Sequence, residues 1–286
     1  MDGGEDGGVP HPSVTEQLIG QSNAEDSFLS AFNSGRLHHA WLITGPKGIG
    51  KATLAYRMAR FLLSQPEDGG MFAPPPPTDL SSNLDSGVIA RVAAGSEPGL
   101  FTLTQPTDEK TGKVKSVIPV DEVRRMKSFF AMSAGGNGRR VAIVDAADDM
   151  NTASANALLK VLEEPPDMAT LILVAHQPGA ILPTIRSRVR QLSCHPLDDP
   201  DLQTIVTEID PSLTFDPHVL ALAQGSVGRA MDLFSADGLA VYQSILSALS
   251  GWPRLDRDHV LTLANSFAGP GKDTGLFADL FDIALS

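Results

Sequence analysis

One cysteine, Cys194, is all the thiol this 286-residue chain has. That excludes an internal disulfide and any metal site built from several thiolates, and it leaves Cys194 the role of a small buried hydrophobe. Basic residues are also scarce: 22 Lys and Arg stand against 34 Asp and Glu, a formal net charge of -12. A chain so charged does not coat nucleic acid by bulk charge, so any DNA contact is expected to be local or to come through partners. No apolar run reaches the length of a membrane span. The N-terminus, Asp2-Gly3-Gly4-Glu5-Asp6-Gly7-Gly8, has neither the basic region nor the apolar stretch of a secretory signal, and the cytoplasm is the expected compartment. What is present is 42% hydrophobic residues, ample for packed cores. At this length about two or three units are expected.

Two further absences fall inside the stretches that carry chemistry. Gly45-Pro46-Lys47-Gly48-Ile49-Gly50-Lys51-Ala52-Thr53 fits a phosphate-binding loop at every position but one. An apolar run from Trp41 to Ile43 leads in as a strand, and Ala52 to Ser64 follows with Leu54, Ala55, Met58, Ala59 and Leu62 at helical spacing. Gly45, Gly48 and Gly50 let backbone N–H groups turn around phosphate oxygens, while the helix N-terminus and the Lys51 ammonium add positive potential. The pattern then requires Ser or Thr, to put a hydroxyl on Mg2+, and the chain has Ala52. Thr53 is no simple substitute, because one step along a helix turns a side chain by about 100°. ATP or ADP is therefore expected to bind weakly, with doubtful placement of Mg2+. A glycine-rich turn without a ligand, or a decayed site, is the plainer alternative. The second absence follows the strand Arg140-Val141-Ala142-Ile143-Val144-Asp145, whose terminal acid is of the kind that helps hold Mg2+. Hydrolysing enzymes of this type often place a glutamate next, to orient water, and here that place holds Ala146. A solvated strand-end aspartate is the bland reading of Asp145.

In chain order, residues 1 to 13 read as a disordered lead. Ser22-Asn23-Ala24-Glu25 has capping-box form, and Gly35 stops that helix after about three turns. Leu18-Ile19-Gly20-Gln21 has the place of a turn that could close over an adenine. From Gln65 to Gly99 the composition turns to Gly, Pro, Ser and Asn, with Pro74 to Pro77 consecutive, and no regular core element is expected there. Leu100 to Leu103 is a short strand. Asp108 to Lys115, with Lys110 and Lys113, reads as a solvated charged loop rather than a phosphate reader. A helix begins at Pro119, with Val120, Val123, Met126, Lys127 and Phe130 on one face. After the flexible turn Gly135 to Gly138 and the strand to Asp145, Asn151 to Glu163 is an amphipathic helix with Ala153, Ala157, Leu158, Val161 and Leu162 inward, stopped by Pro165-Pro166. Thr170 to Ala175 and Val189 to Ser193 complete the strands. Continuous apolar strands alternating with helices predict an α/β fold, a parallel sheet covered on both faces. Past His195-Pro196 the pattern is helical throughout: Asp199 to Ile209, Asp216 to Gln224, Gly228 to Ser235, Leu239 to Leu249, Arg257 to Phe267 and Gly275 onward. The expected division is a lead at 1–13, a P-loop domain at 14–195 with an insertion at 65–99, a helical lid at 196–236, and the start of a helical domain at 237–286 that is expected to be incomplete.

These residues together resemble the AAA+ subunits of the bacterial DNA polymerase III clamp loader, most of all the delta-prime group. The shared stretches are Leu37-His38-His39-Ala40-Trp41-Leu42, Asp145-Ala146-Ala147-Asp148-Asp149-Met150-Asn151, Ala155-Asn156-Ala157-Leu158-Leu159-Lys160-Val161-Leu162-Glu163-Glu164-Pro165-Pro166, and Leu182-Pro183-Thr184-Ile185-Arg186-Ser187-Arg188. The resemblance covers about residues 14 to 235 and is architectural beyond. It implies an ATP-binding-type sheet domain, a lid, and a C-terminal collar through which a hetero-pentamer with gamma/tau and delta subunits assembles. That family loads a sliding clamp onto primed DNA. By resemblance Arg188 is an arginine finger that reaches a neighbouring subunit's ATP, and Arg229 is a lid arginine that senses nucleotide. Val189 stands where the family has Cys, which leaves the guanidinium argument untouched. The four-cysteine zinc module common in the family is missing, so no zinc is expected.

Three functions follow as candidates. A non-hydrolysing clamp-loader subunit would supply Arg188 in trans and act as an assembly part. An autonomous ATPase would need Thr53 or water on a non-standard magnesium site, with Asp148 in place of the missing glutamate. A pure scaffold would carry a vestigial loop that binds nothing.

Overall fold

The computed structural model describes residues 9–65, 75–107, 114–131, 138–213, 217–234, 238–251, 257–267 and 274–285. The calls on the lead up to residue 8, on Pro74, and on Lys110 and Lys113 lie outside them. The chain divides into two compact units at Pro196/Leu197.

In the first unit, α1 (Ser22–Asn33) precedes β1 (Ala40–Thr44), and α2 (Lys51–Ser64) leaves the glycine loop. Then come α3 (Ser86–Ala93), β2 (Leu100–Leu103), α4 (Val120–Ala131), β3 (Arg140–Asp145), α5 (Thr152–Glu163), β4 (Ala169–Ala175), the short α6 (Pro183–Arg186) and β5 (Arg190–Ser193). All pairings are parallel and the strand order is β2-β3-β4-β1-β5. This is the α/β fold with a parallel sheet expected from the sequence. Its strands are apolar on both sides because both faces are covered. Along β1, Trp41 and Ile43 join an apolar cluster with Phe28 of α1, Leu54, Met58 and Phe61 of α2, and Val88 of α3. Ala40 and Leu42 join a second cluster with Met126 of α4, Leu158 of α5 and Ile185 of α6. Period-two alternation thus sends successive β1 residues to opposite layers.

Four local expectations are corrected. Residues 65–99 do contain a core element: Asp85 Oδ1 accepts from Gly87 N at 2.7 Å and Val88 N at 3.0 Å, capping α3, and Leu80, Val88 and Val92 are buried. Composition hid a short capped amphipathic helix there. No capping box opens α1, since its cap position is Gln21 and no side chain caps it. In α5 the inward face is Ser154, Ala155, Leu158, Val161 and Leu162, and Ala153 is exposed. The cause is that Ser154 Oγ donates to Ile118 O at 2.6 Å, which turns that side of the helix inward. Lys127 of α4 is exposed beside the buried Met126, its ammonium being cheaper to keep in water.

The lead is also anchored where it is described. Ser13 is buried, and Arg60 of α2 donates to Ser13 O at 2.9 Å and Thr15 O at 2.6 Å.

The second unit is helical: α7 (Asp199–Ile209), α8 (Pro217–Ala223), α9 (Val227–Phe234), α10 (Gly238–Leu249), α11 (Arg257–Phe267) and α12 (Thr274–Leu285). One apolar cluster runs from Leu197, Leu202 and Val206 through Ala230 and Leu233 to Val241, Ile245 and Leu280. Among the described residues no helix is long and apolar enough to cross a membrane.

Candidate nucleotide site and arginine turn

The glycine loop links β1 to α2 at the carboxyl ends of the strands, and β4 lies between β1 and β3. Thr44 pairs with Ala175 and Asp145 with Val174, so the loop and Asp145 flank the end of one strand. Strand order, not sequence proximity, brings them together.

Gly45, Gly48 and Gly50 have φ of 143°, 78° and 96°, conformations that side chains disfavour. At Gly45 the demand is also steric, because a Cβ would stand 2.5 Å from the Cys194 carbonyl oxygen. Cys194 is buried against the loop, and desolvation pushes its thiol up to about 11, with Lys51 opposing the shift. Gln21 fastens the loop from outside: Nε2 donates to Ile49 O at 3.2 Å and His195 O at 2.7 Å, and Oε1 accepts from His195 N at 3.0 Å. Its side chain is spent on this bridge and not on α1.

Lys51 is 3% exposed and its Nζ donates to Pro46 O within the same loop. Burial lowers its pKa from 10.5 to about 8, with Cys194, Asp145 and Asp148 opposing the shift. Asp145 is pushed up, chiefly by desolvation and then by Asp149 and Asp148, while Lys51 draws it down. Asp148 Oδ2 accepts from the backbone N–H groups of His176 at 2.9 Å and Gln177 at 2.8 Å. That carboxylate therefore ties the segment after β3 to the end of β4. Ala146 is buried, and Ala52 and Thr53 are half-buried.

The loop fits a phosphate: three glycines in the required conformation surround one buried cation at a helix N-terminus. The residues fit Mg2+ poorly, since Ala52 brings no oxygen and burial favours the neutral form of Asp145. Among the described residues no group of three or more His, Cys, Asp and Glu is arranged to hold a metal ion.

Arg188 lies in the turn between α6 and β5. Its Nη1 donates to Thr184 O at 3.0 Å and Ser187 Oγ at 3.3 Å, and its Nη2 is 3.1 Å from Glu163 Oε1. Arg229, on α9 of the helical unit, donates from Nη1 to Gln224 Oε1 at 2.9 Å. Arg124 and Arg125 on α4 are exposed and paired with Asp121 and Glu122 one turn earlier, at 2.7 and 2.8 Å. Gln21, which the sequence places only in a turn that could close over an adenine, serves as the bridge from Ile49 to His195, and Glu163 is a site residue that the sequence leaves without a role. Glu163 carried a signal, a carboxylate at the C-terminal end of a helix, where the backbone carbonyls oppose it.

A family model described as DNA polymerase III, delta subunit, matches residues 20–198. DNA polymerase III subunit delta' of Pseudomonas aeruginosa is 40% identical over 156 residues, covering 54% of this chain and 43% of that protein. The delta' subunit of Escherichia coli is 31% identical over 229 residues, covering 79% of this chain and 63% of that protein. DNA polymerase III subunit gamma/tau of Mycobacterium tuberculosis is 31% identical over 177 residues, covering 62% and 28%. The chain spans about half the length of the delta' relatives it matches. The glycine loop, Asp145 and the Arg188 turn all fall within the matched span, and the chain belongs to the DNA polymerase III delta-subunit family, being similar within it to delta' subunits.

Proposed function

We propose that this chain is a non-hydrolysing subunit of the bacterial DNA polymerase III clamp loader. It scaffolds a hetero-pentamer with gamma/tau and delta subunits in the cytoplasm, and donates Arg188 as an arginine finger to a neighbouring subunit's ATP site. In this way it helps to load the sliding clamp onto primed DNA. The observation that carries the reading is a phosphate loop of full backbone form in a site that lacks two of the polar groups hydrolysis uses, at Ala52 after the loop lysine and at Ala146 after β3. The loop keeps the means to hold ATP or ADP through Gly45, Gly48, Gly50 and Lys51, with Thr53, Asp145 and Arg229 as the further candidates.

In the neighbouring site the chemistry would be electrostatic. A planar guanidinium beside the transferring phosphoryl group stabilises charge that spreads over its oxygens, an effect worth about 10^3 to 10^5 in rate in other phosphoryl transfers. Arg188 is 39% exposed, with room to serve a second chain.

The test is the ATPase rate of the chain alone and after reconstitution with the gamma/tau and delta subunits, wild type beside Arg188→Ala. No turnover is expected alone. In the complex, Arg188→Ala is expected to silence the one interface it serves, by about 10^3 or more at that site, and to lower the total rate by that site's share. A normal rate in the mutant complex would sink the proposal. Turnover by the isolated chain, abolished by Lys51→Ala, would instead establish an autonomous ATPase.

A further inference from the structure

Glu163 takes no part in the reading above, yet it makes the ion pair of Arg188, Oε1 to Nη2 at 3.1 Å. The other contacts of that guanidinium come from Thr184 O and Ser187 Oγ, both on Nη1. Acceptors from two elements, the end of α5 and the α6 turn, thus grip one fork. The fork has more N–H donors than these partners take, so it can be held in cis and still offer donors to a phosphate.

Glu163 stands where a carboxylate is least welcome. It is the last residue of α5, beside the terminal carbonyls of the helix, whose partial negative charge opposes it. The helix end that carries it is fixed. Val161 and Leu162 are buried, and His39 of the segment entering β1 bonds Leu162 O through Nε2 at 3.2 Å. A carboxylate carried on that fixed helix end and paired with a half-exposed arginine bears on where that arginine is held. Its effect on stability is small, because both side chains remain in contact with water at 39% and 50% exposure.

We infer that Glu163 is a positioning residue for Arg188, holding the guanidinium along the end of α5 with its unspent donors ready for a phosphate of an adjoining subunit. The inference rests on the finger role proposed above. Without the carboxylate, Arg188 would have to be ordered from a wider set of rotamers at each turnover.

The measurement is steady-state ATPase of the reconstituted complex with Glu163→Gln, Arg188→Ala, the double mutant, and Glu164→Gln as a neighbouring control. Glu163→Gln is expected to lower the Arg188-dependent kcat by about 3- to 10-fold with KM for ATP little changed. It should add nothing in the Arg188→Ala background, and the thermal midpoint of the isolated chain should stay put. Glu164→Gln should match wild type. If Arg188→Ala lowers the rate but Glu163→Gln leaves it unchanged or raises it, the positioning role is overturned and the finger survives. An equal loss from Glu164→Gln, or a further loss in the double mutant, also overturns it. If Arg188→Ala has no effect, the finger reading falls and takes this inference with it.

Discussion

Lys51 is a cation buried to 3% exposure whose Nζ donates to a carbonyl of its own loop, and its cost can be read from pH. Its pKa is about 8 when folded against 10.5 when unfolded, because burial outweighs the pull of Cys194, Asp145 and Asp148. Between those two values the unfolded chain keeps a proton the folded chain has lost, so this residue makes stability rise with pH across that window. Below the folded value both states are protonated and the full cost persists. Lys51→Met should therefore stabilise the isolated chain at neutral pH by about 1 to 3 kcal/mol and flatten the alkaline slope, as measured by urea unfolding at several pH values. A loss of stability would mean that the ammonium and Asp145 form a net favourable pair. Nothing in the residue string announces this burial; it arises because the sheet, Cys194 and the loop close around one side chain.

At the scale of elements, the two helices that flank the sites begin differently. The α5 start is capped by Asn151, whose Oδ1 accepts from Ser154 N at 2.9 Å, and Ser154 Oγ continues the chain of bonds to Ile118 O. The α1 start has the Ser-x-x-Glu pattern but no side-chain cap, and Ser22 is exposed. Asn151→Ala should cost about 1 kcal/mol and Ser22→Ala should lie within about 0.5 kcal/mol of wild type, judged by chemical denaturation. The reverse order would restore the capping box. A four-residue pattern specifies a cap only where the first residue takes the cap position, and Gln21 holds it here because its side chain is drawn to Ile49 and His195. The same limit explains α3. Its cap and two apolar residues are present in the string, but they sit inside a Gly- and Pro-rich stretch that masks an eight-residue helix.

For the whole molecule, each compact unit has apolar clusters of its own. The two that sandwich the sheet draw every member from residues within Pro10–Pro196, and the third draws its members from Leu197 onward. A fragment of Pro10–Pro196 should accordingly fold alone, with a single cooperative urea transition seen alike by far-ultraviolet circular dichroism and Trp41 fluorescence. A broad transition, or two probes that disagree, would show that the sheet unit depends on the helices beyond it. The alternation of strands and helices that built this unit was legible from periodicity. The span of the third cluster, from α7 to α12, was not, because helical periods mark a buried face without naming the helix it meets.

Local chemistry was enough to determine the glycine loop, the buried strands, most helix spans and the two alanines, since these depend on backbone sterics and on side-chain period over a few residues. Only the tertiary structure decided which distant polar groups meet. Gln21 bonds His195 across 174 positions, Asp145 reaches the loop because β4 separates β3 from β1 by one strand, and Glu163 finds Arg188 because α5 and the α6 turn pack on the same face of the sheet. The physical reason is that such pairings depend on strand order and layer packing, properties of the whole chain that no window of sequence contains.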